Sequence, residues 1–253
     1  MKFLLAVLPT LLATAIGAPS PKLNAKARLA RSASRQHQSA RSAAAANDEY
    51  NGSWAGAAVA DLNSGEVVTG VSATFTVATP AIPSDVSSSD SYTESTWIGI
   101  DGDGCDNLWQ SGIDGTIDSN GEISYYAWYE WYPAGTEVFD LGTISAGDVV
   151  NVNVTTDGLS KGTATIENVT TGKTASKTMT STDTLCGLTA EWIMEDLGSL
   201  ASFGTITFDN AVATTNQRTL SPATAQLMDI ENDSNVILTS TTVDSKSVAI
   251  TYK

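Results

Sequence analysis

From Asn47 onward, apolar and polar residues alternate with a period of two in short runs, and turn residues interrupt them at close intervals. Thr, Val, Ile, Tyr and Gly dominate, and no helix-period stripe, heptad or longer repeat is visible. The runs predict strands over residues 54–62, 67–78, 96–100, 107–113, 123–132, 148–155, 162–167, 173–179, 189–194, 204–208, 235–241 and 247–252. Asn63-Ser64-Gly65, Asp118-Ser119-Asn120-Gly121, Asp157-Gly158 and Thr171-Gly172 supply turn chemistry between them. So many short strands in one chain predict an all-β domain, an antiparallel sandwich of two sheets. Residues 80–92 (PAIPSDVSSSDSY) read as a loop.

One run departs from simple amphipathic alternation. In 123–132 (ISYYAWYEWY), Tyr125, Ala127, Tyr129 and Trp131 fall on one face, and Tyr126, Trp128, Glu130 and Tyr132 on the other. A strand with a solvated face rarely carries aromatics on both sides. One face is therefore expected in the core and the other on the floor of a cleft, with Glu130 as the single charge among aromatics. Such a carboxyl has a raised pKa, and is either a functional acid or a hydrogen-bonded structural one.

The N-terminal residues change the picture of where the protein works. Residues 1–18 combine Lys2, an apolar run and small residues at Ala15, Gly17 and Ala18, the layout of a secretory signal peptide. No later run of about 18 apolar residues follows, so an exported protein without a membrane span is expected. Residues 19–46 hold six basic side chains and no acidic one, whereas the body from residue 47 holds all 28 acidic residues and six basic ones, a formal charge of −22. This boundary predicts a basic propeptide, residues 19–46, ahead of a single domain over 47–253. The propeptide is the expected inhibitor of its own body, held by charge until acid protonates the carboxylates. A body rich in carboxylates of pKa about 4 suits an acidic medium and repels nucleic acid; a monomer is expected. Sequons stand at Asn51, Asn153, Asn168 and Asn232.

Elimination narrows the chemistry. His37, the only histidine, lies in the basic segment, so the body offers no imidazole for Ser-His or Cys-His catalysis or for the common zinc sites. Cys105 and Cys186, the only cysteines of an exported chain, are expected to form a disulfide rather than a thiolate site. Neither a phosphate-binding GxxxxGK loop nor an EF-type calcium loop is present, so no cofactor or metal is expected. What remains is carboxylate chemistry with amide or aromatic helpers. A bridge would tie 97–114 (WIGIDGDGCDNLWQSGID) to 186–196 (CGLTAEWIMED) and bring Gln110 towards Glu195. On residue type alone, Gln110 also fits a surface strand and Glu195 a solvated charge.

Trp54 with Gly56, WIGIDGDGC at 97–105, LWQSGID at 108–114, YAWYEWYP at 126–133 and LCGLTAEWIMED at 185–196 resemble the glutamic peptidases, or eqolisins. The resemblance keeps order and spacing over nearly all of the acidic body and loosens after about residue 199. Met194 and the single cysteine pair are its departures. It implies a β-sandwich of two large curved sheets of about seven strands, of the concanavalin-like jelly-roll kind. It also implies a catalytic dyad of Gln110 and Glu195, the second glutamate of AEWIMED. Trp54, Gly56, Trp97, Asp101, Asp114 and Glu130 carry over as substrate-cleft residues, and Trp128 joins Trp54 and Trp97 as a pocket wall. The implied activity is secreted endopeptidase action on polypeptides in acid. A β-sandwich glycoside hydrolase working through Glu130 and Glu195 is the competing expectation.

Overall fold

The computed structural model describes residues 41–42, as backbone only, together with 48–84, 86 and 91–253. The expected signal peptide, most of the expected propeptide and part of the 80–92 loop lie outside the described residues. In chain order the strands are β1 (Arg41–Ser42), β2 (Asp48–Asn51), β3 (Trp54–Val59), β4 (Val68–Thr76), β5 (Tyr92–Ile100) and β6 (Leu108–Ile117). They continue with β7 (Ile123–Tyr132), β8 (Thr136–Val138), β9 (Val149–Thr156), β10 (Lys161–Asn168), β11 (Lys173–Thr180) and β12 (Ala190–Glu195). The last are β13 (Thr205–Thr215), β14 (Thr219–Leu220), β15 (Gln226–Ile230), β16 (Thr239–Val243) and β17 (Val248–Tyr252), with one 3-10 turn at Pro222–Thr224.

These strands form two sheets. The larger runs β1-β2-β15-β3-β12-β5-β6-β7-β8, and the other β11-β10-β9-β4-β13-β17-β16 with β14 beside β13. All pairings are antiparallel except β15 with β2. The expected sandwich is therefore present, with nine and eight strands instead of about seven each. The expected strand at 235–241 is shifted to 239–243, and Tyr92, read as loop, opens β5. β13 runs past its expected end through a register shift between Asp209 and Val212, where Asn210 takes φ +52°.

Alternation builds the core between the sheets. On β9, Val150, Val152 and Val154 point inward opposite Phe75, Ala73 and Val71 of β4. Phe75 meets Phe208 edge to face with ring centroids 5.5 Å apart. From the larger sheet come Trp109, Trp131 and Trp192, all buried, and each indole N–H crosses to a backbone carbonyl: Thr155 at 3.2 Å, Asp183 at 2.7 Å and Ser72 at 3.1 Å. At the outer edge of the smaller sheet, β11 is almost wholly exposed and polar.

Asn153 and Asn232 are exposed, as a glycan requires, and Asn51 is half-buried with its amide bonded to Trp54 and Ser53. The sequon at Asn168 is a correction: its side chain is fully buried and donates to Asp148 at 2.7 Å, so it has no room for a sugar. Among the described residues no helix is long and apolar enough to cross a membrane. Phe208→Ala should cost about 3–5 kcal/mol of stability by removing a fully buried ring, measured by denaturant unfolding.

Candidate active site

β3, β12, β5, β6 and β7 are neighbours in the larger sheet, and every residue of β5 and β12 is buried. Alternation gives these strands two buried faces. One carries Ala57, Ile98, Trp109, Tyr129 and Trp192 into the inter-sheet core. The other carries Ala58, Trp97, Leu108, Tyr126, Trp128 and Ile193 into a second apolar cluster, against which Trp54 and Tyr132 pack. The two-faced strand expected at 123–132 is thus what β7 is.

Gln110 and Glu195 both lie on this second face, by parity with Leu108 and Ile193. Gln110 pairs with Gly99 of β5 on one side and with Glu130 of β7 on the other. Glu195 pairs with Ser95 of β5 and with Trp54 of β3. The amide and the carboxylate therefore share one face across a single strand, four positions apart along it, with Trp97 between them. The indole N–H of Trp97 donates to Glu195 Oε2 at 3.0 Å. Two glycines make room for that indole: a Cβ at Gly112 would lie 2.6 Å from Trp97 Cβ, and one at Gly99 would lie 3.0 Å from the ring. Trp54 packs edge to face on Trp97 at 5.1 Å.

Gln110 is held in one orientation. Its Nε2 donates to Glu130 Oε2 at 2.5 Å, while the Thr136 hydroxyl donates to Glu130 Oε1 at 2.8 Å. Its own Oε1 is buried and has no partner among the described residues. Glu130 is thus bonded on both oxygens, a state that the sequence left open.

Asp114 accepts from Ser95 Oγ at 2.6 Å, Trp128 Nε1 at 2.7 Å and Tyr126 Oη at 2.5 Å, which fixes the wall beside the register partner of Glu195. Gly56 has φ +144°, and a Cβ there would lie 2.0 Å from the Trp192 carbonyl, so it serves close packing of β3 on β12. Asp101, expected in the cleft, spends both oxygens on the backbone N–H groups of Cys186, Gly187, Leu188 and Thr189, at 2.7 to 3.3 Å. Beside it the Cys105–Cys186 disulfide joins the two stretches, with Cα atoms 6.1 Å apart. Asp101, Cys105 and Cys186 are the described residues close enough to share a metal, but the sulfurs are bonded to each other and the carboxylate is saturated by N–H donors.

Sequence reasoning set Tyr126 on one face of 123–132 without a role, and missed Ser95, Thr136, Glu94 and the role of Glu191. Parity with Trp97 and Trp128 flags Ser95 and Tyr126. Nothing local flags Thr136, which reaches Glu130 through the short strand β8.

The Peptidase A4 family model matches residues 52–252. The chain belongs to the peptidase A4 family. Aspergillopepsin-2 of Aspergillus niger is 37% identical over 229 aligned residues, covering 81% of this chain and 79% of that protein. Scytalidopepsin B of Scytalidium lignicola is 41% identical over 91 residues, 36% of this chain and 33% of that one. Among solved structures, scytalido-glutamic peptidase with a peptide-based transition state analog superposes with TM-score 0.68 at 32% identity, over 80% of this chain and 99% of that one. Aspergilloglutamic peptidase from Aspergillus niger gives 0.61 at 43%, over 64% and 99%. The A4 chain is a glutamic peptidase of the eqolisin type, a peptide-bond hydrolase.

The peptidase buries several carboxyls, and burial raises their proton affinity. Glu94 lies on the core-facing side of β5, accepts from Thr96 Oγ1 at 2.7 Å, and is pushed up to about 8 by burial, with a smaller contribution from the nearby Asp114. Burial also raises Glu191 well above the carboxylate range, and lifts Asp103 and Glu49. A folded-state value above the unfolded one means that the native state binds more protons. The stability that Glu94 contributes is then fully present below about pH 4.5 and is lost as pH rises towards about 8. At 1.36 kcal/mol per unit, Glu94 alone accounts for up to about 3 kcal/mol of loss by pH 7. Glu94→Gln should flatten that fall, checked by unfolding free energies at acidic and neutral pH.

Proposed function

We propose that the peptidase is a secreted endopeptidase acting on proteins in acid through Gln110 and Glu195. The observation that carries this reading is their placement on one aromatic-floored face, with Trp97 between them and each side chain oriented by a bonded neighbour. Glu195 as carboxylate takes a proton from water and returns it to the departing amine. Gln110, with one N–H committed to Glu130, keeps a second N–H for the oxyanion and its carbonyl oxygen for orienting water. The dyad has one titrating member, so the reaction does not depend on two coupled carboxylates sharing a proton.

An extended polypeptide fits a cleft floored by Trp54, Trp97 and Trp128. That relatives were solved with a transition state analog and with a tripeptide supports a peptide ligand. The glycosidase reading needs Glu130 as a free acid, whereas both its oxygens accept hydrogen bonds from Gln110 and Thr136. The basic segment 19–46 supports a propeptide that neutralises the acidic body, and its described end, β1, pairs with β2 at the edge of the cleft sheet.

Gln110→Ala should lower kcat by about two to three orders of magnitude, the cost of one oxyanion donor. Glu195→Gln should abolish hydrolysis of denatured protein, and Glu130→Gln should leave measurable activity. Folded variants of Gln110 or Glu195 with near-normal turnover would refute the mechanism. A synthetic 19–46 peptide should inhibit the mature form, with an inhibition constant that weakens on acidification; a pH-independent constant would refute the propeptide reading.

A further inference from the structure

Glu191 is the glutamate of AEWIMED that the mechanism does not use. It lies on the cleft face of β12, in register with Gly99 of β5 and Ala58 of β3, and is fully buried. Its Oε1 accepts from the Thr189 hydroxyl at 2.8 Å and from the backbone N–H of Asp103 at 3.1 Å. Its Oε2 is buried and has no partner among the described residues. A carboxylate would leave half its charge unsolvated there, whereas the acid form keeps Oε1 as the acceptor and carries its proton on Oε2.

The segment that Glu191 holds is the 101–106 turn between β5 and β6. One end is pinned by Asp101 on the 186–189 backbone and the other by the disulfide at Cys105. Between these anchors, Gly102 lies against the cleft, where a Cβ would be 3.0 Å from the Trp54 ring and 3.2 Å from Leu108. Trp54 packs on Trp97, and Trp97 bonds Glu195. The contact from Asp103 to Glu191 is thus the free middle of this rim, two packed rings away from the catalytic carboxylate.

We propose that Glu191 is a positioning residue for the cleft: as an uncharged acid it holds the 101–106 rim against Trp54, and on ionising it releases that rim. The groups around it act in both directions: burial opposes its ionised form most, the Thr189 hydroxyl and the Asp103 N–H favour that form, and the facing carboxyls oppose it. Asp103 and Asp101 of the rim both raise its proton affinity, and Glu49 of β2 in turn faces Asp103. Ala58 and Gly99, its register partners, do not titrate. Ionised Glu191 would therefore meet like charge from the segment it holds. The consequence is a cleft wall that is formed in acid and loosened towards neutrality, separate from the titration of Glu195. The kinetic readout rests on the peptide-cleft reading, and the structural one on the Asp103–Glu191 contact and the burial of Glu191 among like charges.

The test compares the mature wild-type enzyme with Glu191→Gln and Glu191→Ala from acid to neutral pH. Amide exchange at Asp103 and at Trp109, a core-strand residue, is measured by NMR and corrected for intrinsic rates, alongside kcat and KM for a peptide substrate. In the wild type, Asp103 protection should fall at least about tenfold before Trp109 protection changes, the effect of about one unit of unfavourable titration, with KM rising in step. Glu191→Gln, which keeps the Oε1 acceptor without the charge, should hold both. Glu191→Ala should show an unprotected Asp103 and a raised KM at every pH. Asp103 protection lost only together with Trp109, or a Gln variant that tracks the wild type, overturns the proposal. Should the Gln variant not fold, Asp103→Asn is read instead: without the facing charge the pH-driven fall in amide protection at position 103 should be smaller than in the wild type, and an undiminished fall overturns the proposal. A wild type that cleaves no peptide refutes the functional reading, and the exchange data still decide this one.

Discussion

The site exists because five adjacent strands are buried on both faces, and because their register decides which side chain enters which compartment. A slip of one residue on β6 would put Trp109 in the cleft and Gln110 in the core, since side chains alternate strictly. The register is pinned from the core side. Trp109 and Trp131 are the chain neighbours of Gln110 and Glu130, Trp192 lies between Glu191 and Ile193, and all three reach across to backbone carbonyls with their indole N–H groups. The alternative pairing would strand those donors and bury polar side chains among aliphatics. Packing on one face therefore specifies chemistry on the other.

From these anchors the cleft is assembled outward by hydrogen bonds to carboxyl groups. Glu130 orients an amide, Asp114 a phenol and an indole, Asp101 the backbone that leads into β12, and Glu191 the turn above Trp54. The disulfide closes a span of 81 residues next to the Asp101 clamp, which by chain entropy contributes about 4 kcal/mol. Covalent and electrostatic restraints thus converge on the join between the segment carrying Gln110 and the one carrying Glu195. Of these acids Glu191 is the one that burial pushes towards its protonated form, as it does Glu94 on the opposite face of the sheet.

The larger features were legible in the sequence. Period two with regular turns announces a sandwich, aromatics on both faces of 123–132 announce a second apolar compartment, and two cysteines behind an expected signal peptide announce their bond. The strands that escaped notice are β1, β2, β8, β14 and β15, whose sequences RS, DEYN, TEV, TL and QLMDI are too short or too polar to carry an alternating pattern. Their pairing comes from neighbours in the sheet, and with β8 comes Thr136. Asp101 illustrates another limit: a carboxylate in a motif looks the same whether it meets substrate or four backbone amides, and only the path of 186–189 distinguishes them. Asn168 is a similar case, because a sequon does not reveal which face of β10 it occupies.

The outer edge strand of the smaller sheet shows what the acidic composition demands elsewhere. β11 leaves one side of its backbone unpaired, the usual seed for chains joining sheet to sheet. In a medium where most carboxylates are neutral, repulsion between molecules falls to the few cations of the body, and Lys173 and Lys177 both stand on that strand. Positive side chains along an edge strand oppose the docking of a second copy's strand beside it, so β11 carries its own guard against sheet-to-sheet joining.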